Sequence, residues 1–253
     1  MSFKDNKEYG KIRVKDITLS PATLKDAFIM SRLYLRAFEH DPNRAIPFPR
    51  CVGMSGETYI RAAQMNKAKD LSMDIVSTDI VLKAMVQFEN EDRKLLEALA
   101  GFAHWTSPDG PRKRTIWEWI LSTIVFPICN FFSPIGDTPA ETKRQIKELF
   151  QNQLNATFGP GGKAYNRRYW HLRTICVDPD WQGFGIGNKL LKWSFDKAAE
   201  SDSVVYLETS PMGLNFYLAK GFQITTSLPA IEINGIHFSA PGMIWMPTLP
   251  QEK

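Results

Sequence analysis

Residues 178–191, DPDWQGFGIGNKLL, place three glycines at alternate positions, Gly183, Gly185 and Gly187. Glycine loses more conformational entropy on folding than any other residue, so three in one short turn indicate an unusual backbone or a close approach. The preceding YWHLRTICV is rich in aromatic and β-branched side chains and predicts a strand. The following KLLKWSFDKAAE has one apolar face and predicts a helix. The stretch is therefore a strand, a glycine-rich turn and a helix start.

A helix that begins directly after such a turn can bind a phosphate group. Its first N–H groups have no partner inside the helix, and they lie at the positive end of the helix dipole. The dinucleotide motif G-x-G-x-x-G lacks its last glycine here, and Gly187 is followed by Asn-Lys-Leu rather than by the Lys-Ser/Thr of a P-loop. The turn is predicted to hold a pyrophosphate of another ligand class.

Two motifs at matching separation indicate which class. Gln182, Gly185 and Gly187 form Q-x-x-G-x-G, which is preceded by V-x-P at residues 177–179. Residues 217–222 form Y-x-x-x-G-F after the next predicted strand. Together they resemble the acetyl-CoA site of the GNAT (GCN5-related N-acetyltransferase) superfamily, over roughly residues 169–222.

The resemblance implies an α/β fold, with a central mixed, mostly antiparallel sheet that is splayed at the acetyl-CoA site and has helices on both faces. The alternation of predicted strands and helices agrees with a mixed α/β sheet. We expect residues 1–253 to form a single domain. Two predicted helices, 116–132 and 140–154, precede the fourth strand, and we expect a helical insertion between the third and fourth strands at about 107–166.

The periodicity of apolar residues predicts the remaining elements. The predicted strands are 12–19, 80–87, 96–106, 203–209 and 242–247, and the predicted helices are 24–38, 56–69 and 210–222.

Composition and charge narrow the function classes. The net charge of +4 comes from scattered basic residues, which does not favour nucleic-acid binding. The three cysteines are far apart in the sequence, which indicates free thiols and favours neither a disulfide scaffold nor a metal site. Free thiols are typical of a reducing compartment, so we expect a cytoplasmic location. The N-terminal residues contain no apolar run typical of a secretory signal.

The apolar run 116–132 is interrupted by Glu118 and Pro127, so we expect a buried or pocket-lining helix, with membrane contact as the alternative.

The resemblance also implies which residues bind acetyl-CoA. The pantetheine arm would pair with the edge of Ile175, Cys176 and Val177, and Asn215 would contact the arm. The pyrophosphate would be surrounded by the backbone of Gln182, Gly183, Phe184, Gly185, Ile186, Gly187 and Asn188.

Transfer of an acetyl group to an amine requires a base, because an alkylamine is almost fully protonated at neutral pH. Strict strand alternation would place His171 on the same face as Ile175 and Val177, and the family uses a histidine or glutamate at this place. Glu208 on the neighbouring strand is the second candidate, and His104 is the third. The resemblance implies that Tyr217 donates a proton or a hydrogen bond to the departing thiolate. A Cys176 acyl-enzyme would need an activating partner, and the sequence offers none.

The aromatic insertion is expected to cover the acceptor site, with Trp117 and Trp119 as binding residues together with Trp105. The predicted function is acetyl-CoA-dependent N-acetylation of a small apolar or aromatic amine by direct transfer in a ternary complex. Two alternatives remain open: a protein or peptide N-acetyltransferase, and a non-catalytic CoA-binding module at a membrane surface. The sequence does not decide the acceptor, the acyl chain length or the oligomeric state.

Overall fold

A computed structural model of the 253-residue chain provides the fold. The structure describes residues 13–41, 43, 56–76, 79–109, 115–121, 123, 140–159, 168–233 and 236–247.

Nine strands are present in this part of the chain. They are β1 (Arg13–Pro21), β2 (Ile80–Glu89), β3 (Leu95–Thr106), β4 (Tyr169–Val177), β5 (Val204–Glu208), β6 (Gln223–Thr226), β7 (Ile231–Ile233), β8 (Ile236–Phe238) and β9 (Gly242–Trp245). Seven of them form one mixed sheet in the order β1-β2-β3-β4-β5-β9-β6, and β7 and β8 form a separate hairpin. Only the β4–β5 pair of the large sheet is parallel.

Six α-helices accompany the strands in the described ranges. They are α1 (Ala27–Ala37), α2 (Gly56–Val76), α3 (Ile116–Ile120), α4 (Ala140–Phe158), α5 (Ile186–Glu200) and α6 (Leu214–Leu218). None of the helices in the described ranges is long and apolar enough to cross a membrane.

The predicted α/β class, with a mixed and mostly antiparallel sheet, is confirmed, and every strand predicted from periodicity is found within a few residues of its expected bounds. The strands β6, β7 and β8 were not predicted, because each is only three or four residues long. The helices α3 and α4 do follow β3 and precede β4 in the chain. Residues 110–114, 124–139 and 160–167 lie outside the described residues, so the single domain and the extent of the insertion stay predictions.

Helices cover both faces of the sheet. On one face, Leu190 and Leu191 of α5 belong to a buried cluster with Leu82, Ala103 and Trp105 of the sheet. We call this the α5 face. On the other face, α1 and α2 pack against Phe102 and Cys176, and Phe158 of α4 packs against Tyr206. We call this the α1–α4 face. Burial of these apolar side chains is the main stabilising contribution to the fold.

The sheet opens between its two parallel strands. Pairing of β4 with β5 runs from Tyr169 opposite Val204 to Leu172 opposite Leu207 and stops there. Beyond that point β4 continues to Val177 against β3, while β5 turns to β9. Over residues 173–177, the edge of β4 that faces β5 therefore has no strand partner in the described part of the chain, although the Val177 carbonyl accepts from Nε2 of Gln182 at 3.3 Å. A cleft begins where the strands separate.

A β-bulge at Arg173 changes the direction of the side chains along β4. Leu172 pairs with Trp105 and Thr174 pairs with His104, so no residue of β3 lies opposite Arg173. The expected strict alternation from residue 171 to 177 is therefore wrong. Ile175 and Val177 pack against the cluster of the α5 face, whereas the His171 ring lies 5.2 Å from the ring of Tyr206 on the other face.

Candidate active site

The glycine-rich turn adopts the backbone that its composition predicts. Gly183 and Gly185 have φ values of +87° and +83°, in the left-handed region that other residues rarely adopt. A Cβ atom built on either of them would have no atom within 4 Å, so both face open space. The turn therefore leaves room for a ligand to approach the backbone directly.

The start of α5 directs free amides toward this space. The Lys189 N–H donates to the Gly185 carbonyl at 3.0 Å and closes the first helical turn, so the amides of residues 186–188 have no acceptor inside the helix. The Arg36 guanidinium binds the carboxylates of Asp178 and Asp180 at 2.8 and 2.7 Å and fixes the turn to α1. A set of oriented donors at the positive end of a 15-residue helix suits an anion.

A cleft of about 720 Å³ joins the glycine turn to the separated ends of β4 and β5. Its walls on the α1–α4 face come from three segments that are distant in the sequence. The contributing side chains there include Tyr34, Phe38, Asp41, Asn43, Phe150 and Phe238. The volume lies in the usual range for a small-molecule site.

The two first candidates for the base are bonded to each other. Nε2 of His171 lies 2.7 Å from Oε2 of Glu208, and both side chains are nearly buried. Glu208 lines the cleft, whereas His171 lies behind it and is not among the lining residues. The second carboxylate oxygen, Oε1, is buried and accepts no hydrogen bond of standard geometry from a described residue. The Tyr206 phenol is close to this carboxylate, and its pKa is raised by burial and by the charge of Glu208.

Tyr217 of α6 is buried and lines the cleft where it meets the glycine turn. Burial, and then the proximity of Cys176, raises the pKa of its phenol well above the usual value. The side chain therefore keeps its proton at neutral pH, as a proton donor requires.

Cys176 also lines the cleft, but its thiol is not activated. Burial raises the pKa of the Cys176 thiol well above its usual value, although Lys67 acts in the opposite direction. Because the thiolate is the nucleophilic form, this cysteine is a weak candidate for a covalent acyl-enzyme.

Comparisons with known proteins agree with this geometry. A family model described as "Acetyltransferase (GNAT) domain" matches residues 153–224, which include β4, the glycine turn, β5 and α6. This part of the chain is therefore similar to a GNAT acetyltransferase domain. An uncharacterized N-acetyltransferase of Schizosaccharomyces pombe is 28% identical over 137 residues, which are 53% of this chain and 57% of that relative.

Two solved structures share the GNAT fold with this chain. A structure from Corynebacterium glutamicum described as histone acetyltransferase HPA2 and related acetyltransferase has a TM-score of 0.51 at 19% identity, covering 94% of this chain and 100% of its own. The polyamine N-acetyltransferase of Drosophila melanogaster has a TM-score of 0.51 at 10% identity, covering 91% of this chain and 100% of its own. At these identities the likeness is one of fold alone.

Most residues predicted to bind the cofactor lie together in the cleft. Those that line it are Ile175, Cys176, Val177, Gln182, Gly183, Gly185, Ile186, Gly187 and Asn188. Phe184 is exposed beside Trp181, and Asn215 is exposed on α6, and neither side chain belongs to the lining. Their proposed roles stay predictions.

The three tryptophans predicted to bind the acceptor lie elsewhere. Trp105 is fully buried on the α5 face with its ring 6.2 Å from that of Trp193. Trp117 and Trp119 are 71% and 49% exposed and are not among the residues that line the cleft. The rest of the predicted aromatic cover, residues 124–139, lies outside the described residues, so the covering role stays a prediction.

His104, the third candidate for the base, is bound on both sides. Its Nε2 lies 2.8 Å from Oδ2 of Asp79, and its Nδ1 lies 3.3 Å from Oδ2 of Asp74. Burial lowers the pKa of His104, but the two carboxylates more than offset this and raise it. The group links α2 to the sheet and does not line the cleft.

Sequence reasoning missed the residues of the α1–α4 wall, including Asp41, Asn43, Phe150 and Phe238. No local motif marks them, because they meet only through the packing of α1, α4 and the β7–β8 hairpin.

Proposed function

We propose that this protein is an acetyl-CoA-dependent N-acetyltransferase that acts on a small amine by direct transfer in a ternary complex. The observation that supports this most strongly is one continuous cleft. It joins the unpaired edge of β4 and the glycine-rich start of α5 to the buried carboxylate of Glu208. Oε1 of this carboxylate accepts no hydrogen bond of standard geometry from a described residue. A nucleotide-linked thioester and an amine could meet at the point where β4 and β5 separate.

The residues of the turn fit the cofactor. The backbone groups of residues 173–176 on the unpaired edge of β4 would pair with the amides of the pantetheine arm, in the manner of an added strand. The amides of residues 186–188 and the open faces of Gly183 and Gly185 would accept the pyrophosphate. Acetyl-CoA would supply the activated acetyl group as a thioester.

We assign the proton-accepting role to the Glu208–His171 pair. Oε1 of Glu208 would take a proton from the acceptor ammonium, while His171 would hold the carboxylate in place through Oε2. The neutral amine would then attack the thioester carbon, the C–S bond would break, and the thiolate would leave. Tyr217 would donate a proton to that thiolate, since burial keeps its phenol protonated. The nitrogen loses its second proton as the amide forms, and that proton would restore the Tyr217 phenol. Direct transfer is favoured because the Cys176 thiol also stays protonated.

The shape of the cleft supports a small acceptor. Phe38, Phe150 and Phe238 form apolar walls on the acceptor side, which suits an aliphatic or aromatic amine. A cytoplasmic location is part of the same proposal, supported by cysteines that have no disulfide spacing.

A thiol-release assay with acetyl-CoA tests the proposal. Small amines, peptides with free lysines, and a sample without acceptor would be compared at equal concentration. We expect thiol release that depends on a small amine, with a matching acetylated product by mass spectrometry. Turnover of peptides only would favour a protein N-acetyltransferase. Binding of acetyl-CoA without turnover of any acceptor would favour a non-catalytic module.

A further inference from the structure

We propose that the acceptor is a diamine whose second, non-reacting ammonium binds Asp41 and Asn43 at the far end of the cleft. The inference rests on the proposed acetyltransferase function and names the substrate class of the same site.

Asp41 is the first observation. The residue is only 7% exposed and lines the cleft, yet no ion pair joins its carboxylate to any described residue. Its Oδ1 accepts the Asn43 N–H at 2.9 Å, which satisfies one oxygen and leaves the charge without a cation. Because a buried carboxylate without a counter-charge is costly, a cation supplied by the ligand would relieve that cost.

Asn43 is the second, independent observation. Its side-chain N–H donates to the Ser239 carbonyl at 3.0 Å, which fixes the orientation of the amide. Its Oδ1 is buried and has no hydrogen-bond donor in the part of the chain that the structure describes. An ammonium group offers several N–H donors, so one group could satisfy both Asn43 and Asp41.

The spacing between the two ends of the cleft suits a diamine. Ser239, which Asn43 contacts, lies three residues before Gly242, and Gly242 pairs with Glu208. Three residues of chain span at most about 10 Å, so an aliphatic chain could connect one amine at Glu208 with another at Asn43. The apolar walls of the cleft, Phe38 and Phe150, would contact the methylene groups.

Arg173 is the cationic side chain among the described residues that line the cleft. Its positive charge would repel a second ammonium group that bound close to it. No ion pair joins it to Asp41 or Glu208 among the described residues. Burial raises the pKa of Asp79, but the hydrogen bond and charge of His104, with smaller contributions that include the charge of Arg173, together lower it. The Arg173 side chain is exposed, so water screens its charge.

The test compares α,ω-diaminoalkanes with monoamines of the same chain length as acceptors. For the wild type we expect the best diamine to exceed its matched monoamine in kcat/KM by about tenfold or more, as expected for one charge-assisted contact. In Asp41→Asn, which keeps the size of the side chain, this ratio should fall to near one. The surface variant Asp92→Asn, which removes the same charge from the β2–β3 turn, should keep the wild-type ratio.

Calorimetry gives a readout that does not depend on turnover. With CoA bound, the diamine should bind the wild type about tenfold more tightly than it binds Asp41→Asn. Equal kcat/KM values for diamines and monoamines in the wild type would overturn the inference and leave the acetyltransferase proposal standing. Absence of turnover for every amine would overturn the acetyltransferase proposal itself. A thermal melt of each variant shows that a lost preference does not come from unfolding.

Discussion

The two ends of the cleft are built in different ways. One end, which we propose binds the cofactor and call the cofactor end, comes from one contiguous stretch, in which β4, the glycine turn and the start of α5 follow each other in the chain. The other end, which we propose binds the amine and call the acceptor end, is assembled from α1 and the residues after it, α4, and the β7–β8 hairpin with its following residues. A motif can therefore describe the first end, but no short pattern describes the second.

This difference explains why the chemistry of the cofactor can be proposed with more detail than that of the acceptor. The turn is determined by backbone conformation and free amides, which depend on local sequence. The acceptor end depends on Asp41, Asn43 and Phe150, which meet through long-range packing. Changes at the two ends should accordingly affect different kinetic constants.

The largest effect is expected where the two ends meet, at Glu208. Replacement by Gln keeps the shape of the side chain but removes the proton acceptor, so kcat/KM should fall about 10²- to 10⁴-fold, the usual contribution of general-base catalysis. The fall in kcat/KM should be smaller in His171→Gln, because the glutamine amide can still donate to Oε2 of Glu208. Steady-state kinetics with varied amine and saturating acetyl-CoA measures kcat/KM for both variants.

Affinity for acetyl-CoA should change little in either variant, which serves as the control for folding. A His171→Gln enzyme that loses more activity than Glu208→Gln would assign the base to the imidazole. Full activity in both variants would remove this pair from the reaction.

The next effect concerns the leaving group at the cofactor end. Tyr217→Phe removes only a hydroxyl, so we expect the chemical step to slow by about tenfold to a hundredfold, the lower part of the range for acid–base catalysis. The penalty should shrink for acyl donors with more acidic thiols, since those thiolates need less protonation. Single-turnover rates with a series of donors measure it, and a penalty that does not vary with thiol acidity would assign the hydroxyl a structural role.

Much of the cofactor end could be predicted from the sequence, but the bond between His171 and Glu208 could not. Their contact depends on the register that places His171 opposite Tyr206, two residues before Glu208. The sequence pattern does not predict the bulge at Arg173 either. Because of this bulge, His171 and Ile175 lie on different faces of the sheet. Such features arise from pairing between strands that are far apart in the chain.

A smaller effect is expected on stability, away from the cleft. The pKa of His104 is raised in the folded protein above its ordinary value of 6.5, because Asp74 and Asp79 bind it despite its burial. The stabilisation from protonated His104 is therefore complete below about pH 6.5 and is lost as the pH rises through the raised folded value.

Urea unfolding as a function of pH measures this contribution, which should be on the order of 1 kcal/mol for a charged hydrogen bond. His104→Gln should flatten the decline above pH 6.5, whereas His237→Gln, at an exposed position, should follow the wild type. A decline that persists unchanged in His104→Gln would show that another group controls it.

The smallest effect separates the described wall of the acceptor end from the exposed aromatic helix. Phe150→Ala should raise the acceptor KM a few-fold through lost apolar contact, with little change in acetyl-CoA affinity. Trp117→Ala should raise the acceptor KM less than Phe150→Ala does, because the Trp117 side chain is largely exposed and does not line the cleft. An equal rise in both variants would show that the helix α3 contacts the acceptor after all.

The most direct test of the central claim is calorimetric titration of acetyl-CoA into the wild type, Gly185→Val and Gly56→Val. Gly185 needs its left-handed backbone and an open face for the pyrophosphate, whereas Gly56 has open space and no such backbone. We predict binding by the wild type and by Gly56→Val, and an affinity at least about a hundredfold weaker in a folded Gly185→Val, from the loss of charge-assisted hydrogen bonds. Unchanged affinity in a folded Gly185→Val protein would contradict the assignment of the glycine turn as the cofactor site.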